Sequence, residues 1–440
     1  MVDNSTTNSS HRALQKTFWR FVLLFLILHI VPNNLGFGFT YALDDSTFWD
    51  RPVIWFGEQL FGWDFDLEWL YRGFDSKYQL CKYIFIILLA LIGTALWMLI
   101  DKYFKTNYND KLRTFVQTAL RYHLAVIMMS YGLSKVFMLQ FGTLDLNGLE
   151  RKIGDFGPMG LMWTFMSYSK TVVMFAGWTE CIGAVLLFFR KTTFLGALVL
   201  FGVMLSVVIM DIGYDVTVAM YAIQLLLMVI VLLSSQFKNL FKFIVLGKKV
   251  ASVPYKYLFK DSKFRKIALA LKVLLMVSCS VLWFKEYNQR IKSQAKSAYY
   301  WFSAKHTVET FILNGDTIPV SNEDHPKLWK TITFDDSFYF PETFALEKTS
   351  IRPFRFNYEV DSISQTIRYN TAKPNFIGND NEDEEDQTDL EWQTINYKEL
   401  EDKVFEFETI FEGDTIYAKT KVKRFEDYIL IRNSGHFLFD

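Results

Sequence analysis

Ionisable side chains inside strongly apolar stretches are the residues of this sequence most able to do chemistry. An unpaired charge in the hydrocarbon layer of a membrane is costly, so each such residue needs a partner or a function. The candidates are Arg121, Tyr131, Lys135, Glu180, Asp211, Tyr214 and Asp215. Groups of this kind could bind a quinone headgroup, a small acid or protons. No catalytic residue can be assigned among them from the sequence.

Helical geometry groups these candidates. Arg121 and Lys135 are 14 residues apart, about 40° short of four full helical turns, so they share one face. From the depth of each residue in its span, we expect two groups. They are an inner pair, Arg121–Glu180, and an outer cluster of Lys135, Asp211, Tyr214 and Asp215. Two alternatives stay open, namely that the pairs only hold helices in register, or that Lys135 reaches the interface without a partner.

Haem, metal and disulfide chemistry find little support in the sequence. His29 and His123 are predicted at different depths, whereas a haem held by two histidines needs both at one depth. The three cysteines, Cys81, Cys181 and Cys279, form no C-x-x-C pair and no spacing typical of a metal site. The only cofactor that the polar residues suggest is a quinone.

The composition predicts a membrane protein with a soluble appendage. Hydrophobic residues make up 51% of the chain and aromatic residues 18%. Seven stretches approach the roughly 20 apolar residues that a bilayer requires. They are residues 18–35, 83–100, 115–139, 171–189, 194–212, 216–233 and 267–284.

Charge distribution sets the predicted orientation. Lys and Arg cluster in alternate connecting segments, most densely in residues 235–266, which carry nine basic residues and one acid. The positive-inside rule therefore predicts a cytoplasmic N-terminus and an exported C-terminal domain. We expect the membrane to be a bacterial inner membrane, which places that domain in the periplasm. Residues 290–440 carry 18 Lys and Arg against 28 Asp and Glu. An acidic domain of this kind argues against nucleic acid as a partner.

The first exported loop is rich in aromatic residues. Residues 48–78 hold eleven Trp, Phe and Tyr side chains, with acids between them. This mixture suits the headgroup level and predicts an interfacial helix or lid, with a quinone or lipid portal as the alternative. The next exported segment, residues 141–170, is Gly-rich and ends in an amphipathic stretch.

The tail alternates with period two and predicts a β-domain. Strands are expected at residues 308–313, 317–318, 330–334, 354–360, 366–369, 404–411, 415–422 and 428–432. Asn314-Gly315 is typical of a tight hairpin. A β-sandwich or a lipocalin-like barrel fits this pattern. The acidic residues 378–391 predict a solvated loop, or alternatively a calcium loop, although the ligand spacing of an EF-hand is missing.

Two segments carry a resemblance to a known family. Residues 121–142 (RYHLAVIMMSYGLSKVFMLQFG) and 177–190 (GWTECIGAVLLFFR) resemble the DoxX-like integral membrane proteins. In that family an Arg opens a helix, Gly-x-x-Lys stands toward its end, and a Glu followed by Gly lies in the next helix. The corresponding residues here are Arg121, Gly132 with Lys135, and Glu180 with Gly183. The resemblance implies a four-helix core over about residues 115–235 and an association with quinone-linked redox systems.

The predicted fold is a membrane all-α bundle of about seven helices with a C-terminal antiparallel β-domain. Four regions are expected: residues 1–114 with two spans, the core at 115–235, a basic segment and seventh span at 236–289, and the β-domain at 290–440. Two functions remain open. One is an accessory subunit of a quinone-linked membrane redox system. The other is a non-catalytic scaffold or permease component whose exported domain binds an envelope partner.

Overall fold

Every predicted membrane span overlaps an α-helix in the computed structural model of the protein, and residues 31–35 of the first span lie outside the described residues. The structure describes residues 4–30, 49–65, 76–104, 109–234, 236–249, 261–294, 302–322, 324–335, 343–348, 354–370 and 392–432. The helices are α1 (Asn4–Ile30), α2 (Asp50–Phe61), α3 (Lys77–Phe104), α4 (Asn109–Val136), α5 (Leu146–Glu150), α6 (Pro158–Tyr168), α7 (Lys170–Phe188), α8 (Thr193–Gly213), α9 (Ala219–Ser234), α10 (Phe237–Ile244), α11 (Ser262–Gln294) and α12 (Ile429–Arg432).

The chain divides into two compact units. Met1–Gln140 and Ser169–Tyr287 form the first, which we call the helical unit. Phe141–Tyr168 and Asn288–Asp440 form the second, the barrel unit. The Gly-rich segment between α4 and α7 therefore belongs with the C-terminal domain. The predicted core at 115–235 contains residues of both units. The division into four regions stays a prediction.

Four described helices are long and apolar enough to cross a membrane. They are α3, α7, α8 and α11, and α9 is equally apolar but shorter, at 16 residues. The other two predicted spans lie on α1 and α4. Helix α4 packs against α7 and α9, while α8 packs against both α7 and α9, so these four helices form a closed ring.

The surface of α7 has the pattern expected for contact with lipid. Phe175 is 71% exposed and Trp178 is 52% exposed. Glu180, two residues after Trp178, is only 2% exposed. A water-facing helix has the opposite arrangement, with its charges outside. Because the apolar face is the outer one, the solvent of this bundle is hydrocarbon.

Helix α2 occupies the aromatic loop and packs on α3. Val53 of α2 is fully buried against α3, and Cys81 of α3 is fully buried against α2. The hydroxyl of Tyr78 donates to a carboxylate oxygen of Asp50 at 2.6 Å. This part of the predicted loop is thus a helix held on the bundle.

Nine antiparallel strands build the C-terminal domain. They are β1 (Ala304–Leu313), β2 (Asp316–Ile318), β3 (Thr331–Asp335), β4 (Thr343–Glu347), β5 (Phe354–Asp361), β6 (Thr366–Asn370), β7 (Gln393–Glu401), β8 (Val404–Phe411) and β9 (Asp414–Lys423). Strands β1 and β3–β9 follow one another around the sheet, and β1 also pairs with β9. That last pairing closes an eight-stranded barrel. The short β2 extends β1 as a hairpin.

Turn chemistry confirms the predicted hairpin. Asn314 and Gly315 have φ of 52° and 90°, which is the geometry of a type I′ turn. Glu412 and Gly413 connect β8 to β9 with φ of 52° and 85°. Two left-handed residues in succession match the right-handed twist of the strands, so both turns fix the register locally.

The last predicted strand is wrong, and two strands were not predicted. Residues 428–432 end in the short helix α12 rather than a strand. Closure of the barrel by β1 and β9 leaves no open edge between those strands for a further strand to join. The missed strands are β4 and β7. In β7 only Ile395 and Tyr397 are buried, so the apolar alternation is short. The acidic run at 378–391 lies outside the described residues.

Aromatic side chains fill the barrel interior. Phe311, Phe334 and Tyr358 are among its largest fully buried residues. His306 of β1 lies among them, with its ring 5.1 Å from the rings of Phe405 and Phe407. Burial, with a smaller contribution from Arg424, lowers the pKa of His306 to about 3. The imidazole is therefore neutral at physiological pH, and its Nδ1 lies 3.2 Å from the Thr420 hydroxyl.

Glu150 of α5 ties the Gly-rich segment to the barrel. Its carboxylate accepts a hydrogen bond from Lys305 of β1 and another, at 3.2 Å, from Lys423 of β9. Partial burial acts to raise the pKa of Glu150, but the hydrogen bonds from Lys305, Tyr428 and Lys423 outweigh it and lower the pKa to about 2. Both lysines come from the strand pair that closes the barrel.

Candidate functional site

Two glycines bring α4 and α7 into contact at the candidate site. A Cβ atom added to Gly132 would lie 2.6 Å from Cys181 Sγ and 2.8 Å from the carbonyl oxygen of Gly177. A Cβ atom added to Gly177 would lie 2.6 Å from the carbonyl oxygen of Gly132. No side chain fits at either position without moving a backbone. Small residues facing each other are a common basis of close helix packing in membranes.

This close approach places Lys135 opposite Glu180. Lys135 Nζ lies 2.9 Å from each carboxylate oxygen of Glu180. Lys135 is 6% exposed and Glu180 is 2% exposed. The aromatic ring of Tyr131 lies one turn earlier, with its centroid 5.5 Å from the ammonium. The three residues form a compact charged and aromatic group, which we call the Lys135 cluster.

The predicted pairing of Arg121 with Glu180 is wrong. Arg121 is about 21 Å from Lys135 along the helix axis, and it lies beside the turn that joins α7 to α8. Its guanidinium contacts the hydroxyl of Thr193 at 3.4 Å and the ring of Tyr122. The antiparallel register set by Gly132 and Gly177 puts Glu180 level with Lys135 instead.

The predicted outer cluster does not form either. Lys135 is paired with Glu180 and Tyr131, and the structure shows no ion pair between Lys135 and an aspartate in the residues it describes. Asp211 is buried near the end of α8. Tyr214 and Asp215 are exposed beyond that end, and the φ of Asp215 is 51°. The Lys135 side chain pairs instead with a carboxylate on the adjacent helix α7.

Helix α4 ends immediately after the Lys135 cluster in an unusual cap. The amide of Met138 donates to the carbonyl of Lys135 at 3.0 Å, and the amide of Leu139 donates to the carbonyl of Ser134 at 2.7 Å. These two bonds define a Schellman motif, in which glycine normally takes the left-handed position. Here Met138 takes it, with a φ of 58°. The cap fixes where the helix stops, one turn beyond Tyr131.

Helix α11 supports the same end of α4. The hydroxyl of Tyr287 donates to the carbonyl of Ser130 at 2.8 Å, and its ring lies 5.4 Å from that of Phe137. Ser130 is buried one turn before Ser134. This contact holds α11, the helix of the seventh predicted span, against the end of α4 that carries Lys135, and the sequence did not predict it.

Gln224 is a polar residue that the sequence analysis missed. It is buried in α9, and neither atom of its side-chain amide has a hydrogen-bond partner within the described segments. A single glutamine in an otherwise apolar span was a signal that could have identified it. Gln224 lies on the helix that closes the ring between α4 and α8.

Metal ligands do not come together in the described ranges of the chain. No group of three His, Cys, Asp or Glu residues there could hold a metal ion. Cys81, Cys181 and Cys279 are all buried and free. The chemistry available at the Lys135 cluster is therefore hydrogen bonding and charge stabilisation by an ammonium, a carboxylate and a phenol ring.

Known proteins match the part of the chain that holds these residues. The DoxX family model matches residues 116–211, a range that contains Arg121, Lys135, Glu180 and Asp211. The uncharacterized protein YwoB of Bacillus subtilis (strain 168) is 30% identical over 131 residues. That alignment covers 29% of this chain and 83% of the relative. No solved structure matches the chain.

Proposed function

The chain belongs to the DoxX family of membrane proteins, and from this membership we propose that it is an accessory subunit of a quinone-linked membrane redox system. The observation that carries the proposal is the buried ion pair of Lys135 and Glu180 in a bundle whose outer face is apolar. Replacing such a pair by apolar residues often leaves a protein as stable or more stable. Its presence therefore suggests a use other than stability.

A quinone headgroup suits the groups of the Lys135 cluster. The oxidised headgroup presents carbonyl oxygens, which can accept a hydrogen bond from the ammonium of Lys135. The reduced headgroup presents hydroxyls, which can donate to the carboxylate of Glu180. The aromatic ring of Tyr131 adds an apolar surface next to the ammonium. In this proposal the ligand separates the two charges and takes over the hydrogen bonds that they now make to each other.

We also propose the location of the two units. The Lys and Arg distribution favours a bacterial inner membrane with the N-terminus in the cytoplasm and the barrel unit in the periplasm. A reporter that is active only in the cytoplasm, fused after Asp440, should then be inactive. An active reporter would contradict this orientation.

Quinone content tests the proposed ligand. The full-length protein, purified in a mild detergent, should contain quinone that is measurable by liquid chromatography and mass spectrometry. Glu180→Gln should lower the quinone content several-fold, because the neutral amide oxygen accepts a weaker hydrogen bond from the reduced headgroup than the charged carboxylate does. Asp215→Asn is a matched control at an exposed position of the same unit. Equal quinone contents in the two variants, or none in the wild type, would refute the proposal.

One observation favours a second function, that of a scaffold or permease component whose barrel binds an envelope protein. The barrel interior is filled by aromatic side chains such as Phe334 and Tyr358, so partners meet its outer surface. Apolar side chains are exposed there, among them Ile363 and Ile410. A photoactivatable residue at Ile363 or Ile410 should then cross-link to one protein in intact cells. The same residue at the buried Ile367 serves as the control.

A further inference from the structure

Several cationic side chains lie at the end of the bundle where α7 turns into α8. Arg121 is 6% exposed, and its Nε atom has no hydrogen-bond partner among the described residues. Its guanidinium makes a long bond to Thr193 Oγ1 and interacts with the ring and the hydroxyl of Tyr122. A buried arginine normally meets a carboxylate. Arg20 does so in this protein, where it pairs with Asp101.

Further cations face Arg121 from the neighbouring elements. Arg190, in the turn after α7, and Lys272, on α11, each interact with it as like charges. Lys272 Nζ lies 4.2 Å above the ring of Phe189 in the same turn. In the part of the chain that the structure describes, neither Arg121 nor Lys272 contacts a carboxylate. Repulsion between Arg121 and Lys272 is unfavourable, and an anion bound between them would relieve it.

The start of α8 adds hydrogen-bond donors. The Thr192 side chain stands at the capping position but makes no capping bond, because its hydroxyl donates to the carbonyl of Leu186 at 2.7 Å. The first helical bond of α8 comes from the amide of Gly196. The amides of the preceding turn are therefore left for another acceptor, at the positive end of the helix dipole.

We propose that Arg121, Lys272 and the first turn of α8 bind a phosphate-type anion. A guanidinium can donate two parallel hydrogen bonds to such a group, and a helix N-terminus adds backbone donors. The turn between α7 and α8 has four residues, 189–192, so it lies where two apolar helices leave the hydrocarbon. Lipid phosphates lie at that depth, and a free phosphate can reach it from water. This site is separate from the Lys135 cluster and does not depend on the proposed quinone function.

The full-length protein is purified in detergent and its bound lipid is removed. Three additives then distinguish a lipid phosphate from a free phosphate as the ligand. They are phosphatidylglycerol, inorganic phosphate, and a diacylglycerol that has the same acyl chains but no phosphate. The readouts are the thermal unfolding midpoint and native mass spectrometry of bound molecules. Phosphatidylglycerol or inorganic phosphate should raise the midpoint, and diacylglycerol should not. Displacement of the lipid by inorganic phosphate would identify the free anion as the ligand, and retention of the lipid would identify the headgroup.

Variants locate the effect. Arg121→Gln should raise the half-saturating concentration about tenfold, the effect of losing one hydrogen bond between charged groups. Lys272→Gln changes a partly exposed residue that should not affect folding, and we expect a rise of a few fold. Lys285→Gln, at an exposed position of the same helix, is the matched control and should bind as the wild type does. Equal responses of Lys272→Gln and Lys285→Gln, or an equal effect of diacylglycerol, would overturn the proposal.

Discussion

The helical unit and the barrel unit bury opposite kinds of side chain. In the helical unit Glu180 and Lys135 are buried, while Phe175 faces outward. In the barrel unit Phe334 and Phe344 are buried, while Lys and Glu occupy the outer faces of the strands. The difference shows that each unit is arranged for its own solvent. Lipid makes an outward apolar surface favourable and leaves helix packing to close contacts and polar pairs, whereas water drives apolar rings inward.

The largest expected effect comes from breaking the buried ion pair. Glu180→Gln should lower the free energy of unfolding of the helical unit by about 3–5 kcal/mol, because removing one partner of a buried ion pair leaves the other buried without it. Lys135→Met with Glu180→Gln should cost much less than the sum of the single changes. Chemical unfolding in detergent micelles measures this coupling. Additive effects would show that the two residues do not depend on each other.

This pair also shows what the sequence could and could not predict. The residues themselves were identified, because a charge in an apolar stretch is visible in the sequence. Their partners were not, because the register of α4 against α7 depends on the contact of Gly132 with Gly177. Hydropathy alone does not distinguish one register of two apolar helices from another. Depth counted from the ends of the apolar stretches was therefore a poor guide.

In the barrel, too, structure set by neighbouring residues was predicted, and structure set by residues far apart in the sequence was not. Asn314-Gly315 fixes a hairpin through the two residues themselves, and that prediction is confirmed. The strand expected at 428–432 failed because barrel closure depends on the meeting of β1 and β9, which are far apart in the sequence. Gln224 was visible in the sequence, but no motif drew attention to it.

Acid should lower the stability of the barrel unit through His306. This prediction tests the barrel unit's part of the comparison between the two units. The pKa of His306 is lowered to about 3 by burial, so the folded protein excludes a proton that the unfolded chain binds below its ordinary pKa of about 6.5. Stability contributed by the neutral ring is therefore present above that value and is lost as the pH falls toward 3. Between pH 6.5 and pH 5 we expect a loss of about 2 kcal/mol.

This loss is measured by unfolding the barrel unit of the full-length protein in urea at pH 7 and at pH 5. Susceptibility to proteolysis reports the unfolded fraction. His306→Gln should be less stable at pH 7 but should lose less stability between the two pH values. His325→Gln, on the loop between β2 and β3, should behave as the wild type does. The same pH dependence in His306→Gln and wild type would assign the effect to other groups.

Glu150 should have a smaller effect than Glu180, because water screens it. Glu150→Gln is expected to cost about 1 kcal/mol in the barrel unit, since its side chain is partly exposed and its partners Lys305 and Lys423 can be hydrated. Its pKa is lowered to about 2, so this contribution is present above pH 4.5 and is lost as the pH falls toward 2. The urea midpoint of the barrel unit at pH 7 and pH 3 measures it. A loss as large as that of Glu180→Gln would remove the contrast between the two solvents.

The smallest expected effect is a gain in stability at the cap of α4. Met138 has a φ of 58°, a conformation that costs a residue with a Cβ atom about 1 kcal/mol or more. Met138→Gly removes this strain but gives the unfolded chain more freedom. We therefore expect the helical unit to gain about 0.5 kcal/mol, measured by the same unfolding in micelles. Met129→Gly, in the interior of α4, is the control and should cost about 1 kcal/mol. If Met138→Gly destabilised the protein as much as Met129→Gly, the Met138 side chain would have to support the Lys135 cluster by its contacts, and the strained cap would be maintained for that purpose.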